Sequence, residues 1–365
     1  MKGFKVVAGL VMVAVLLMVG VLPAFAAEQT EIVFKTAQLY PVTATDEWED
    51  MSREARVAAC QLSEEDVDDM TTEELLQYVL NYPFMVDIYA FSTFEQGFYH
   101  VLEEFEAISL LVSREDYGEA LINTYSAVPV VTSVKTRSHT DYQNIWDLGI
   151  LEILIAQPEM TETLSSREIA DLATAADKKF DEKMDALDVY SGSCESFAQA
   201  LNENPDSAIA LAASSPVRTP NGTDVLVYNH SNIVDWTSAE KATLNAQALA
   251  SYPTATLLRD ATKKYNCHSY AWYSMSSSNY YWMDDPTVYM TDGSYYSTSR
   301  KIGNVAYWYA PINGVNYPIH SGIVDEHMQS AAFYGARSKW GQLGLFNHKY
   351  DDCPYGGSIS YWAKS

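Results

Sequence analysis

The reading of the chain turns on Tyr265-Asn266-Cys267-His268-Ser269-Tyr270-Ala271-Trp272, taken with Pro318-Ile319-His320-Ser321-Gly322-Ile323-Val324. A cysteine opens a run of small and aromatic residues, and a histidine further on opens a short β-branched run. The first pattern reads as a helix with the cysteine in its first turn, the second as a strand led by the histidine. Aligned backbone N–H groups at a helix start lower a thiol's pKa, and a histidine on a facing strand is the matching base. His268 is not that base, because adjacent helical positions point apart.

Around this pair the texture is that of a sheet. Ten tyrosines and three tryptophans fall between residues 265 and 310, with Gly, Asn and Asp between them. Such rings suit strands, and they also suit a groove that grips glycans or peptides by stacking. Gly303-Asn304-Val305-Ala306-Tyr307-Trp308-Tyr309, His320 to Val324, and Ala331-Ala332-Phe333-Tyr334 read as three antiparallel strands. Val225 to Tyr228 reads as a further strand, and Thr237 with Glu240 caps a helix running to about Ala250.

Upstream, residues 46–204 read as an all-helical domain of about five to seven helices. Ser63 with Asp66, Thr71 with Glu74, Ser113 with Asp116, and Ser165 with Glu168 each place a hydroxyl cap three residues before a carboxylate. Apolar stripes follow: Leu75, Leu76, Val79 and Leu80; Phe98, Val101, Leu102, Phe105 and Ile108; and Ile169, Leu172, Ala173, Ala176, Phe180, Met184 and Leu187. Pro83 and Pro129 mark helix ends or breaks. The acidic run Glu64 to Asp69 lacks the turn glycine and closing glutamate of a calcium loop, and reads as a solvated first turn. Residues 205–222 form the linker, closed by the Asn221-Gly222 turn signal, and residues 223–365 the second domain. A helix followed by a small antiparallel sheet makes that domain α+β.

Lys2 and Lys5, the apolar run Val6 to Leu22 and Ala24-Phe25-Ala26 make residues 1–26 read as a signal peptide, leaving no stable membrane anchor after cleavage. A retained anchor helix is the rival reading of that run. The expected location is therefore outside the cell, at the envelope. The formal charge of −25 argues against a nucleic-acid partner, since phosphate backbones would be repelled. The cysteines Cys60, Cys194, Cys267 and Cys353 allow disulfides in an exported chain, and a bridged Cys267 would be no nucleophile. No Cys-x-x-Cys or His-x₃-His spacing supports a metal site, and no cofactor is expected.

The order of a cysteine at a helix start, a glycine-led strand and a His-Ser-Gly-Ile-Val strand resembles the secreted papain-like cysteine peptidases and amidases of bacterial cell walls, the NlpC-type and CHAP groups. It covers about residues 262–360. The resemblance implies a papain-like fold for the carboxy-terminal domain, with Cys267 attacking an amide carbon and His320 carrying the proton. It implies peptidoglycan stem peptides, or another peptide, as substrate. This chain has Asn266-Cys267-His268-Ser269 where the NlpC-type enzymes have Asp-Cys-Ser-Gly, and Gly303-Asn304 where Gly-Asp is usual. A Glu or Asn would be expected near Ser338-Lys339-Trp340 to orient the histidine; none stands there, and His348 is the residue taken for that role, with Asn347 its neighbour. Tyr265 or His268 would complement the Cys267 N–H as oxyanion donor, and Tyr265, His268, Trp272 and Trp308 are the expected substrate contacts. The alternative is an inactive binding module, or a disulfide-stabilised interaction protein, that recognises glycan or peptide through its aromatic surface.

Overall fold

The computed structural model describes residues 39–133, 138–201, 217–312, 315–325 and 335–365. The signal-peptide reading of residues 1–26, most of the linker and the Ala331–Tyr334 strand lie outside them. Among the described residues, no helix is long and apolar enough to cross a membrane.

A helical amino-terminal region precedes a carboxy-terminal antiparallel sheet. Among the described residues, eleven α-helical segments lie between Glu47 and Leu201, shorter and more numerous than the sequence suggests. Three of the four spacings there form full capping boxes, at Ser63/Asp66, Thr71/Glu74 and Ser165/Glu168, and Thr237/Glu240 forms another ahead of the helix Ser238–Ser251. Ser113 does not. It ends the helix Ala107–Val112, its hydroxyl donating to Leu110 O, and the next helix starts at Tyr117 behind Asp116.

The third apolar stripe is also turned from its expected direction. On the helix Ser166–Met184 the buried positions are Leu172, Ala176, Lys179 and Lys183, while Ile169 and Met184 are exposed. Two lysines displace the apolar residues because each finds a partner inside. Lys183 pairs with the buried Glu152, and Lys179 Nζ donates to Ser126 O and Val128 O at the end of the helix Tyr117–Ala127. A buried ammonium is tolerated only with such acceptors.

The strands are β1 (Val217–Arg218), β2 (Asp224–Val225), β3 (Tyr228–Asn229), β4 (Thr256–Arg259), β5 (Tyr281–Trp282), β6 (Tyr295–Thr298), β7 (Val305–Ile312), β8 (Val315–Asp325), β9 (Gly335–Lys339), β10 (Leu345–Lys349) and β11 (Ser358–Lys364). Seven form one antiparallel sheet in the order β4-β10-β9-β8-β7-β11-β6, with β8 at its centre. β1 pairs with β2 and β3 with β5 in two small ribbons.

Alternation along the strands divides this sheet into two faces. Ala306, Trp308, Val324, Ala336 and Phe346 point into a core shared with the helical region, in which Leu75, Phe84, Leu151 and Tyr252 also lie. Val305, Tyr307, Ile323 and Leu345 point into a second core with Tyr265, Tyr270 and Trp272. The helical region is thus packed against the first face. Polar contacts reinforce it: Arg56, fully buried, bridges Ser251 O and the carboxylate of Asp352, and Arg53, paired with Asp87 and Glu104 inside the helical region, donates from Nε to Tyr252 Oη at 3.1 Å.

Candidate functional site

Cys267 begins a short helical segment, residues 267–273, whose last turn is the π-helical Ser269–Tyr273. Asn266 sets that start. Its side-chain oxygen accepts the Ser269 N–H at 3.1 Å and the Met283 N–H at 3.2 Å, and its Nδ2 donates to Met283 O at 2.6 Å. An asparagine at this position is a good helix cap.

The segment lies on the second face of the sheet, over the middle of β8. Ser321 is its anchor: the hydroxyl accepts from Trp272 Nε1 at 2.9 Å and lies 2.8 Å from His268 Nδ1. The backbone N–H groups of Ser321, His268 and Cys267 itself favour the Cys267 thiolate. Burial pushes the thiol up to about 12, against the opposing pull of these N–H groups and the Lys339 ammonium. In this conformation Cys267 is a protonated thiol with 5 % of its surface exposed.

His320 precedes Ser321, so its side chain points to the opposite face. A bulge sits beside it, because Trp308 pairs with His320 while Tyr309 pairs with Pro318, leaving Ile319 unpaired. Pro318 has no N–H to lose at such a break. The imidazole is fully buried between Trp308, centroid 5.0 Å away, and Tyr355, which stacks on it at 3.7 Å with planes 11° apart. Neither ring nitrogen has a hydrogen-bond partner among the described residues. Burial, with the His348 and His268 rings nearby, holds its pKa well below the ordinary histidine value. The Cys267 segment therefore contacts Ser321, the neighbour of His320 on β8, while the His320 ring lies on the opposite face with no hydrogen bond to Cys267.

The other two histidines are satisfied. His348 Nδ1 lies 2.7 Å from Lys349 O, which can only accept, so Nδ1 carries the proton and Nε2 accepts from the Ser338 hydroxyl at 2.6 Å. Its ring is 6.3 Å from that of His320, centroid to centroid, and its hydrogen bonds do not orient His320. Burial lowers His268 and His348 to about 4 each.

The expected substrate contacts are core groups here. Trp272 packs against Tyr289, Tyr295 and Tyr307 on the second face, and Trp308 lies on the first. Tyr265 is buried beneath the Lys339 ammonium, 5.5 Å from ring centroid to nitrogen. All four cysteines are free and buried, so neither a Cys60–Cys194 nor a Cys267–Cys353 bridge is formed. Among the described residues no cluster of three or more His, Cys, Asp or Glu could hold a metal ion.

Sequence reasoning read Ser338 to Gly341 and Asp352 to Tyr355 as turns beside the sheet and assigned no site role to Lys339, Tyr355 or Ser321; Lys339 is instead the last residue of β9. Lys339 had a signal, since alternation from Arg337 through Ser338 puts charges on successive same-face positions of a strand. Tyr355 had none, because its contact with His320 joins a loop to a strand with no local pattern. Comparison with protein-family models, curated proteins and solved structures finds no match for this chain.

Proposed function

We propose that the chain is an exported cysteine hydrolase of amide bonds, papain-like in its carboxy-terminal half and held here in a closed form. The observation that carries the reading is the seating of the Cys267 segment on Ser321, next along β8 to a buried imidazole with both nitrogens unpartnered among the described residues. A merely structural histidine finds partners, as His268 and His348 do; an unpartnered one costs about 1–3 kcal/mol and needs another reason to persist.

Catalysis requires an open form in which β8 rearranges to bring His320 round from the first face to Cys267; there the thiol attacks the carbonyl carbon while His320 takes its proton. The developing oxyanion lies against backbone N–H groups at the start of the 267–273 segment. His320 then returns the proton to the leaving amine, and water releases the acyl group. The substrate class is the peptide amide, with peptidoglycan stem peptides the first to try.

The test is turnover of synthetic stem peptides by the purified chain, beside Cys267→Ala and His320→Ala. Loss of amine release in both variants supports the reading. Turnover that survives Cys267→Ala sinks it. A second reading, an inactive binding module, is favoured by the exposed rings of Tyr273, Tyr280, Tyr296 and Tyr317. Retention of the chain on insoluble peptidoglycan, unchanged in Cys267→Ala and without turnover, would select that reading instead.

A further inference from the structure

A cavity of about 20 Å³ lies where the segment Pro83–Ala90, the helix His139–Ile155, the helix Leu187–Leu201 and the start of the helix Ser238–Ser251 meet. A water needs about 10–15 Å³, so the space admits one water-sized group. Tyr89, Trp146 and Trp236 give it aromatic walls. The Tyr89 ring centroid is 6.2 Å from that of Trp146 and 6.0 Å from that of Trp236. Glu240 adds a carboxylate. The lining is buried except at Gly149 and Ser193, which are half-buried and mark the mouth.

Two glycines keep the space. A Cβ on Gly149 would have only Tyr89 Oη within 4 Å, at 3.3 Å, so it would project into the cavity. A Cβ on Gly192 would meet Trp236 Cε3 at 2.5 Å and Glu240 Oε2 at 2.7 Å, which sets the indole and the carboxylate side by side. That carboxylate is fixed without being saturated. Oε2 accepts from Thr237 N at 2.8 Å and from Gly192 N at 3.3 Å, and Oε1 accepts from Ser193 N at 2.7 Å. A carboxylate offers about four acceptor positions, so one is left, on Oε1. Lys263, whose Nζ is 4.6 Å from the Trp236 ring centroid and donates to Gly192 O at 2.9 Å, is not part of the lining.

We propose that this cavity binds a primary ammonium group, a water-sized cation held against the aromatic walls and donating to Glu240 Oε1. Ring faces attract cations, and a carboxylate with an unused acceptor position makes its strongest hydrogen bond to a charged N–H donor. An anion would be repelled by Glu240, and a quaternary ammonium is too large for the space. Water fits the volume and is what the ammonium displaces. The formal charge of −25 raises the concentration of cations around the chain. The ligand is a free alkylamine or the end of a lysine side chain, entering between Gly149 and Ser193. The site uses neither Cys267 nor His320 and stands apart from the hydrolase reading.

The experiment is a titration of the full chain, nitrogen-15 labelled at tryptophan, with methylammonium chloride at constant ionic strength. It is read from the indole N–H resonances, assigned with Trp146→Phe and Trp236→Phe. The expected result is saturable shifts, largest at Trp146 and Trp236 and half-complete at about 10 mM, near the limit for a ligand of two heavy atoms. Tetramethylammonium should leave both resonances in place. Gly149→Ala puts a methyl group into the cavity and suits the helix better than glycine does. Glu240→Gln removes the charge and keeps a residue that serves a capping box. Each should weaken binding at least tenfold. Acetyl-lysine amide in place of methylammonium sorts the sources: tighter binding assigns a lysine side chain, weaker binding a free amine. The proposal is overturned by the absence of saturable shifts, by equal shifts at all eight tryptophans, or by an equal response to tetramethylammonium. Unweakened binding in Gly149→Ala or in folded Glu240→Gln overturns it as well. Should Glu240→Gln fail to fold, Gly149→Ala and the tetramethylammonium comparison decide.

Discussion

The imidazole of His320 lies flat against the phenol ring of Tyr355, centroids 3.7 Å apart, and Tyr355 Oη donates to Ala90 O at 2.6 Å. One side chain therefore covers the candidate base and fastens it to the helical region. Ala90 ends the 3₁₀ segment Pro83–Ala90, every residue of which is buried. Tyr355 lies between β10 and β11 and is followed by Gly356 and Gly357, the latter at φ +100°. Glycines at this point let the loop take a path closed to other residues.

Removing the ring should loosen the site. An aromatic pair contributes about 0.5–1.5 kcal/mol and a hydrogen bond a similar amount, so Tyr355→Ala makes opening easier by about 1–3 kcal/mol. The expected outcome is alkylation of Cys267 about ten- to a hundredfold faster at fixed pH, with Tyr355→Phe, which loses only the bond to Ala90, near the lower end. Labelling rates unchanged in Tyr355→Ala would show that this ring does not close the site.

The turn after β9 is the second tie to the helical region. Gly341 has φ +44°, and a Cβ there would approach Ala90 C and O to 2.4 Å and Tyr89 O to 2.6 Å. Next to it, Gln342 N donates to Tyr89 O at 2.8 Å. Gly341→Ala meets backbone, which cannot swing aside as a side chain would, and also forces an unfavourable φ. A loss of about 2–4 kcal/mol in urea denaturation is expected, with Gly356→Ala, which meets nothing within 4 Å, near neutral as control.

Arg56 and Asp352 make the buried ion pair between the two halves, with side-chain exposures of 0 % and 6 %. Thr254 donates to the same carboxylate, and Ser251 O accepts from the guanidinium. Arg56→Met leaves Asp352 buried beside Cys353 without its cation, and should cost about 3–5 kcal/mol. Arg56→Met with Asp352→Asn should recover a large part of that loss, because no net charge is then stranded. A double variant no more stable than Arg56→Met alone would count against this account.

How far the fold was legible follows from the range of the interactions. Thr71 and Glu74 lie three residues apart and announce a helix start; so do Ser165 with Glu168 and Thr237 with Glu240. Strands β7 and β8 were legible through their β-branched and aromatic runs, and the short helical segment at Cys267 through the residues that open it. What was not legible depends on partners far along the chain. The helix Ser166–Met184 turned its lysines inward because Glu152 and the end of another helix wait there. The sheet's breadth came from β4, β6, β9, β10 and β11, none of which was read as a strand; all but β11 have only four or five residues. At the site, the cysteine and histidine were visible as residue types, but their opposite facings about β8 follow from strand pairing, and so do the neighbours Lys339 and Tyr355.

Acid should undo this arrangement through the histidines. His268 and His348 have folded-state values of about 4, and His320 lies well below its ordinary value; burial is the first cause in each case. A group whose folded pKa is depressed stabilises the native state above its unfolded value, near 6.5, and loses that stabilisation as the pH falls toward the folded value. The unfolded chain takes up protons that the native chain refuses, so stability drops with acid between about pH 6.5 and pH 4. For His268 and His348 the shift corresponds to about 3 kcal/mol each, and His320 adds in the same direction. The buried carboxyls Asp87 and Glu152, raised chiefly by burial, run the other way and blunt the fall. The measurement is the urea midpoint at a series of pH values for wild type and His320→Leu, which removes one titrating ring from an apolar, partnerless setting. The slope should be shallower in His320→Leu over that window, and the two curves should converge toward parallel above about pH 7. Parallel curves throughout would mean that His320 has the same proton affinity folded and unfolded, and that its burial between Trp308 and Tyr355 does not persist in solution.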